Sequence, residues 1–189
     1  MTTLNCVENV AAWLKTLFEK PDGTPKHLYE AQLTQGAKGA TRIIKSEPVQ
    51  PIFKGMEVHP FALPPMKEED KKAPYIIVQF LNSTDIQSPE NPVKTTVGIR
   101  FVIAVYNPND DEQEGAKVLQ ELIDYLRFNL ESKVLIPDVK QGADSYALDL
   151  TMGVSSEAYH EDTRPFSCGW MEMYFDLQSV IREDVQKYI

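Results

Sequence analysis

A run of alternating residues at 95–106 restricts the fold of this chain more than any other feature of its sequence. The run reads TTVGIRFVIAVY, and large apolar residues recur in it at every second position, the periodicity of a half-buried strand. The apolar series is Val97, Ile99, Phe101, Ile103 and Val105. Thr96, Arg100 and Tyr106 fall on the other face, so we expect a strand with one buried face and one mixed face.

A second apolar run precedes this strand. Residues 75–81 read YIIVQFL and are rich in β-forming side chains. The stretch between the two runs, 82–94, is polar and contains Pro89 and Pro92. Such a stretch favours a long hairpin loop over a crossover helix, so the sequence predicts an antiparallel pair of strands.

Two segments have the spacing of amphipathic helices. Near the N-terminus, Asn5 is a candidate N-cap and Glu8, three positions later, is its capping-box partner. The apolar stripe of this first helix is Val7, Val10, Leu14, Leu17 and Phe18. The second helix follows a polar turn at 107–111, and its stripe is Val118, Leu119, Leu122, Ile123, Leu126 and Leu130. We expect Leu122 and Ile123 to lie in the core.

The remaining segments predict shorter strands and long connections. Apolar residues alternate at 146–152 and at 171–177, and weaker patterns at 28–33 and 42–44 flank a glycine-containing turn at 36–39. Six prolines between residues 46 and 74 exclude a continuous helix or central strand there, and the charged run at 67–72 is typical of a solvated loop. The sequence therefore predicts an α+β fold, a mainly antiparallel sheet with two principal helices packed on it.

Chain length favours one domain. With 189 residues and 42% hydrophobic content, a single core is the expected arrangement, so residues 1–189 are predicted to form one domain with long loops at about 46–74, 82–94 and 153–169. No run approaches the roughly 18 apolar residues of a membrane helix, and the N-terminus lacks a signal-peptide pattern, so we expect a cytoplasmic protein without membrane contact.

Charge and motif content argue against several functions. The formal net charge of -9 disfavours a broad grip on nucleic-acid phosphates. Cys6 and Cys168 are too far apart in sequence for a C-x-x-C pair, and His160, Glu161 and Asp162 are adjacent, so neighbours would point to opposite sides of an extended chain. No nucleophile elbow or phosphate-binding glycine motif is present. We expect no catalytic, cofactor-binding or metal site and hence no enzyme, although a small-molecule site assembled from scattered residues remains an alternative.

Four segments occur in an order that resembles the tail terminator, or tail completion, proteins of long-tailed phages and prophages. They are Leu63-Pro64-Pro65 leading into 74–78, the strand 97–106, the helix 118–130, and Arg164-Pro165-Phe166 before a strand that starts near Trp170. The resemblance covers about residues 60–178, whereas 46–65 and the tail after Leu177 match nothing in that family.

The resemblance implies a structural virion protein. Such a protein forms a homo-oligomeric ring, a hexamer in this family, that caps the tail tube, stops its polymerisation and meets the head-completion or neck proteins. It resides in the neck region of the virion tail after assembly in the host cytoplasm, uses no cofactor, and lets DNA pass through without tight binding. Another neck or tail subunit, either a head-tail connector or a tube protein, is the closest alternative.

Within this interpretation, four acids are candidates for the pore wall, because a wall that repels phosphates eases the passage of DNA. They are Asp110, Asp111, Glu112 and Glu114. A structural explanation competes with this one, because all four lie near the start of the second helix, where the helix dipole favours negative charge.

Overall fold

The computed structural model shows two α-helices and nine strands in the part of the chain that it describes. It describes residues 3–19, 28–35, 41–49, 56–65, 74–88, 91–106, 112–131, 135–137, 145–159 and 166–178. In chain order the elements are α1 (Thr3–Phe18), β1 (Leu28–Gln35), β2 (Thr41–Val49), β3 (Glu57–Pro60), β4 (Tyr75–Ser88), β5 (Asn91–Tyr106), α2 (Glu112–Glu131), β6 (Leu135–Pro137), β7 (Ser145–Leu148), a 3-10 helix (Leu150–Met152), β8 (Ser155–Ala158) and β9 (Phe166–Gln178).

Seven of the strands form one sheet. Its order is β3-β4-β5-β9-β7-β6, with β8 also paired to β9. The β3–β4 pair is parallel and all other pairs are antiparallel, including the predicted β4–β5 pair. β1 and β2 make a separate two-stranded sheet. The predicted α+β class, with a mainly antiparallel sheet and two helices packed on it, is confirmed.

Both helices pack on the same face of the large sheet. The apolar series of β5 is fully buried there, together with Met171, Met173 and Phe175 of β9. Leu122 and Ile123 of α2 are 0% and 2% exposed, as predicted. The Phe18 and Tyr125 rings, whose centroids are 6.2 Å apart, join the two helices above the sheet. One continuous core therefore lies between the helices and this sheet face.

The predicted loop at 82–94 is wrong. β4 continues to Ser88 and β5 begins at Asn91, so most of this stretch is paired hairpin. The ladder has a bulge between Phe80 and Asn82, and beyond it residues 82–85 are exposed, so polar side chains are tolerated there because they face water. The Thr95 hydroxyl donates a hydrogen bond of 2.7 Å to Asp85 Oδ1 across this extension.

Three other sequence predictions are corrected. The strand predicted at 146–152 ends at Leu148, because the Asp149 carboxylate accepts hydrogen bonds from the Thr151 amide and hydroxyl, which favours the turn of the 3-10 helix. The connection predicted at 153–169 contains β8 and the start of β9. α1 begins at Thr3, so Asn5 lies within its first turn and is not the N-cap.

The proline-rich stretch 46–74 is not a single loop. β2 reaches Val49, and β3 forms an edge strand at 57–60. Proline lacks a donor, so an edge strand or a two-stranded ribbon accepts it where a central strand would not. The turn at 36–39 and the charged run at 67–72 lie outside the described residues.

Gly169 permits a close approach between β8 and β9. A Cβ atom at this position would lie 2.7 Å from the Glu157 carbonyl oxygen and 3.3 Å from Leu119 Cδ2. Because the nearest atom belongs to the backbone, it cannot rotate away. We expect Gly169→Ala to lower the free energy of unfolding by about 1–3 kcal/mol, measured by urea denaturation.

Gly98→Ala is the matched control for this substitution. A Cβ atom at Gly98 would meet Asn82 Oδ1 at 2.5 Å and Tyr174 Cε1 at 3.0 Å, but both atoms belong to side chains, and the exposed Asn82 can turn into solvent. The Gly98 variant is therefore expected to lose less stability than the Gly169 variant. Equal losses would show that the β8–β9 approach imposes no particular constraint.

Candidate interaction surface

The face of the large sheet opposite the two helices is the candidate functional site. We call it the open face, and it is formed by the side chains of β3, β4, β5, β8 and β9 that point away from the core. Residues of β5 and β9 alternate between the two faces, so every second side chain of each strand reaches the open face. The strands hold this surface rigidly, because β5 is hydrogen-bonded on both sides along 94–104.

The register of β4, β5 and β9 brings open-face residues together in rows of three. From one end to the other the rows are Tyr75–Ala104–Cys168, Ile77–Val102–Trp170, Gln79–Arg100–Glu172, Asn82–Gly98–Tyr174 and Thr84–Thr96–Asp176. The first two rows are mainly apolar and the last three mainly polar. The open face therefore has two chemically different ends.

Aromatic side chains dominate one end of the open face. We call Tyr75, Tyr106, Tyr159, Phe166 and Trp170 the aromatic end. Tyr106 and Phe166 are paired in the ladder, and their ring centroids are 5.5 Å apart. The Tyr159 amide donates a hydrogen bond of 2.9 Å to the Cys168 carbonyl, which places Tyr159 beside them. Tyr106 and Tyr159 are 43% and 48% exposed, so solvent reaches this cluster.

An arginine, a carboxylate and an indole occupy the centre of the open face. Arg100 Nε donates a hydrogen bond of 2.7 Å to Glu172 Oε1, and its Nη2 lies 2.5 Å from the same oxygen. The Arg100 guanidinium carbon is 5.3 Å from the centroid of the Trp170 ring. The carboxylate and the ring together fix the arginine in one position, although its side chain remains 39% exposed.

Hydrogen bonds also order the polar end. The Thr96 hydroxyl donates a hydrogen bond of 3.0 Å to Asp176 Oδ1. At the opposite end, on the β3 edge beside Tyr75 and Ile77, His59 Nε2 and Glu57 Oε2 are 3.0 Å apart. The described side chains of the open face include four carboxylates and one guanidinium. The carboxylates are Glu57, Glu157, Glu172 and Asp176, and the guanidinium is that of Arg100.

Tyr75 keeps its proton at neutral pH. Burial, followed by the negative charge of the nearby Cys168 thiolate, raises the pKa of the Tyr75 phenol above its ordinary value of 10.0. The hydroxyl is therefore available as a hydrogen-bond donor on an apolar part of the surface. Amphipathic side chains of this kind are enriched in protein interfaces because they supply contact area and a polar handle together.

The two cysteines are expected to react at different rates. Cys6 is 0% exposed, and burial raises its pKa to about 12, whereas Cys168 is half-buried on the open face. At pH 8 about one Cys6 thiol in ten thousand would be ionised. We expect a thiol reagent to modify only Cys168 in the folded protein and both cysteines after denaturation. Mass spectrometry identifies the modified residue. Equal labelling rates in the folded protein would contradict the placement of α1.

Several of the residues singled out from the sequence lie outside the part of the chain that the structure describes. They are Asp110, Asp111 and the segment 160–162. The backbone of Glu112 and Glu114 lies in the first turn of α2, where the dipole explanation places them. Their role in a pore wall stays a prediction. Within the described ranges, no three His, Cys, Asp or Glu side chains are grouped as metal ligands.

Sequence reasoning identified part of the open face. It placed Thr96, Arg100 and Tyr106 on the second face of β5, and the structure confirms this. It missed Trp170 and Tyr159 as their neighbours. Alternation in β9 was visible in the sequence, but the pairing of β9 with β5 was not.

Comparisons with known proteins add no family. The chain matches no family model, and no curated protein matches it either. Neither helix in the described parts of the chain is long and apolar enough to cross a membrane.

Proposed function

We propose that this chain is a tail terminator of a long-tailed phage or prophage. In this role it is a structural virion protein that caps the tail tube, stops its polymerisation and forms the tail side of the head-tail junction. The open face is the observation that supports the proposal best, because it is a rigid surface suited to another protein. The resemblance of residues 60–178 to the terminator family supplies the particular assembly.

The composition of the open face suits protein association. Trp, Tyr and Arg are the residue types most enriched among interface hot spots, and Trp170, Tyr106 and Arg100 all lie on this face. A terminator subunit contacts identical neighbours in the ring and the end of the tail tube. It therefore needs surfaces suited to protein association and no reactive group. A head-to-tail contact that closes produces the ring.

The charge of the chain is compatible with a channel for DNA. A formal net charge of -9 disfavours retention of phosphates on the ring, so DNA passes without tight binding. In this proposal the ring is a hexamer, its partners are the tail tube protein and the head-completion or neck proteins, and its place is the virion neck. Asp110, Asp111, Glu112 and Glu114 remain the proposed pore-wall acids.

Tails assembled without this protein provide the test. We expect electron microscopy to show tubes of uncontrolled length when the gene is absent, and tubes of uniform length when the wild-type chain is restored. If the tails have normal lengths but fail to join heads, the chain is another neck subunit and the terminator assignment is wrong. Normal particles in the absence of the chain would overturn both assignments.

A further inference from the structure

The β1–β2 hairpin stands apart from the rest of the described structure. Its strands pair at eight positions, yet it shares no ladder with the seven-stranded sheet. Among the described elements, neither strand makes more than marginal contact with anything except its partner strand. Within the described residues, this two-stranded sheet therefore has little support from the other helices and strands.

Such a hairpin is expected to need an external support. An isolated two-stranded sheet is only marginally stable in water, and packing against a further surface is what stabilises it. In sequence the two strands carry six large apolar residues, Leu28, Tyr29, Leu33, Ile43, Ile44 and Val49. A segment with this content gains free energy when it is covered.

The charge of the hairpin complements the open face. Residues 28–49 contain three basic and two acidic residues, while the other 167 residues contain 16 basic and 26 acidic ones. The described side chains of the open face include four carboxylates and one guanidinium. The hairpin segment thus has a small excess of positive charge and the open face has an excess of negative charge, which favours their contact.

The hairpin covers much of the length of the open face. From its first to its last residue an eight-residue strand spans roughly 24 Å, while β5 spans roughly 34 Å from residue 96 to residue 106 and roughly 20 Å from residue 106 to residue 100. The hairpin is therefore long enough to cover the aromatic end and reach the Arg100–Glu172 pair.

We propose that the β1–β2 hairpin of one copy docks on the open face of a second copy of this chain. The β1–β2 hairpin and the open face are different surfaces, so each copy can receive one neighbour and dock on another, and we expect this head-to-tail contact to repeat until it closes into a ring. The inference rests on the proposed function, because it identifies the contact that builds the terminator ring. The aromatic end receives the apolar residues of the hairpin, and the open-face carboxylates attract its basic residues.

Two variants make the contact testable. The hairpin variant carries Ile43→Glu and Ile44→Glu. Successive residues of a strand lie on opposite faces, so the two substitutions alter both faces of the hairpin. The face variant carries Tyr106→Glu and Tyr159→Glu, two exposed positions of the aromatic end that lie outside the core. Phe128→Ala is the control, because Phe128 is 72% exposed on α2, in the layer opposite the open face.

Sedimentation velocity of the full-length proteins gives the readout. We expect the wild type and the Phe128 variant to form rings at high concentration, and each of the other variants alone to stay monomeric. A mixture of the hairpin and face variants should stop at a dimer, because only one intact hairpin and one intact open face remain. Labelling of Cys168 should slow in the wild-type ring and in the open-face half of this dimer. Thermal unfolding confirms that each variant is folded.

The outcomes separate this inference from the proposed function. Rings formed by the hairpin variant, a mixture that yields no dimer, or a wild type that stays monomeric with unchanged Cys168 labelling would each overturn hairpin docking. The terminator assignment would survive those results if the chain still capped tubes. Conversely, a chain that forms rings through the hairpin but leaves tube length unchanged would retain the docking contact and lose the terminator function.

Discussion

Replacing Leu122 with alanine is expected to lower the free energy of unfolding by about 2–5 kcal/mol. Leu122 is 0% exposed and belongs to the core between α2 and the sheet. The substitution removes apolar contacts and leaves a cavity that close-packed neighbours cannot fill. Urea denaturation followed by circular dichroism measures the loss.

Gln120→Ala on the same helix is the control for this prediction. Gln120 is exposed, and its amide donates a hydrogen bond of 3.1 Å to Asp124 across one helical turn. Its removal is expected to change stability by less than about 0.5 kcal/mol. If Leu122→Ala lies within that same range, α2 does not face the core as described.

Replacing Trp170 with alanine is expected to raise the concentration of protein needed to cap half of the tube ends by about 30-fold, which corresponds to the roughly 2 kcal/mol of an interface hot spot. The substitution removes the ring under Arg100 and opens the centre of the open face. The measurement is a titration of tube ends with the variant, scored by electron microscopy.

Phe128→Ala again provides the comparison, since it removes a more exposed aromatic ring from the helix layer. It should cap tubes at the wild-type concentration. Should Trp170→Ala cap as well as Phe128→Ala, while both variants unfold at the wild-type temperature, the open face would have no part in assembly.

Local periodicity predicted the core but not the limits of its strands. The alternation in β5 and the helical spacing around Leu122 both follow from burial of one face, and a single sequence displays that burial directly. The hairpin was predicted, but the strand pairing within 82–94 was missed, because residues 82–85 are exposed and show no apolar alternation. β7 ends early because the Asp149 carboxylate accepts hydrogen bonds from Thr151, which favours a turn over a strand. The alternation of apolar residues at 146–152 gives no sign of this turn.

The candidate site was only half predictable for a different reason. Arg100 was assigned to the outer face of β5 from its own strand, but its contacts with Glu172 and Trp170 depend on a pairing across about 70 residues of sequence. No local pattern specifies that register. The separation of the β1–β2 hairpin from the seven-stranded sheet is likewise a tertiary property, because nothing in the sequence of its strands distinguishes them from strands of the larger sheet.

Tube length in a purified system tests the central claim most directly. Tail tube subunits are allowed to polymerise with increasing amounts of this protein, and the length distribution and tube ends are recorded by electron microscopy. The proposed function predicts that tubes become shorter as the ratio rises and that ring-shaped density appears at their ends, even where the free chain is monomeric, because the tube can act as template. Unchanged lengths over a wide range of ratios, with no density at the ends, would contradict the terminator assignment.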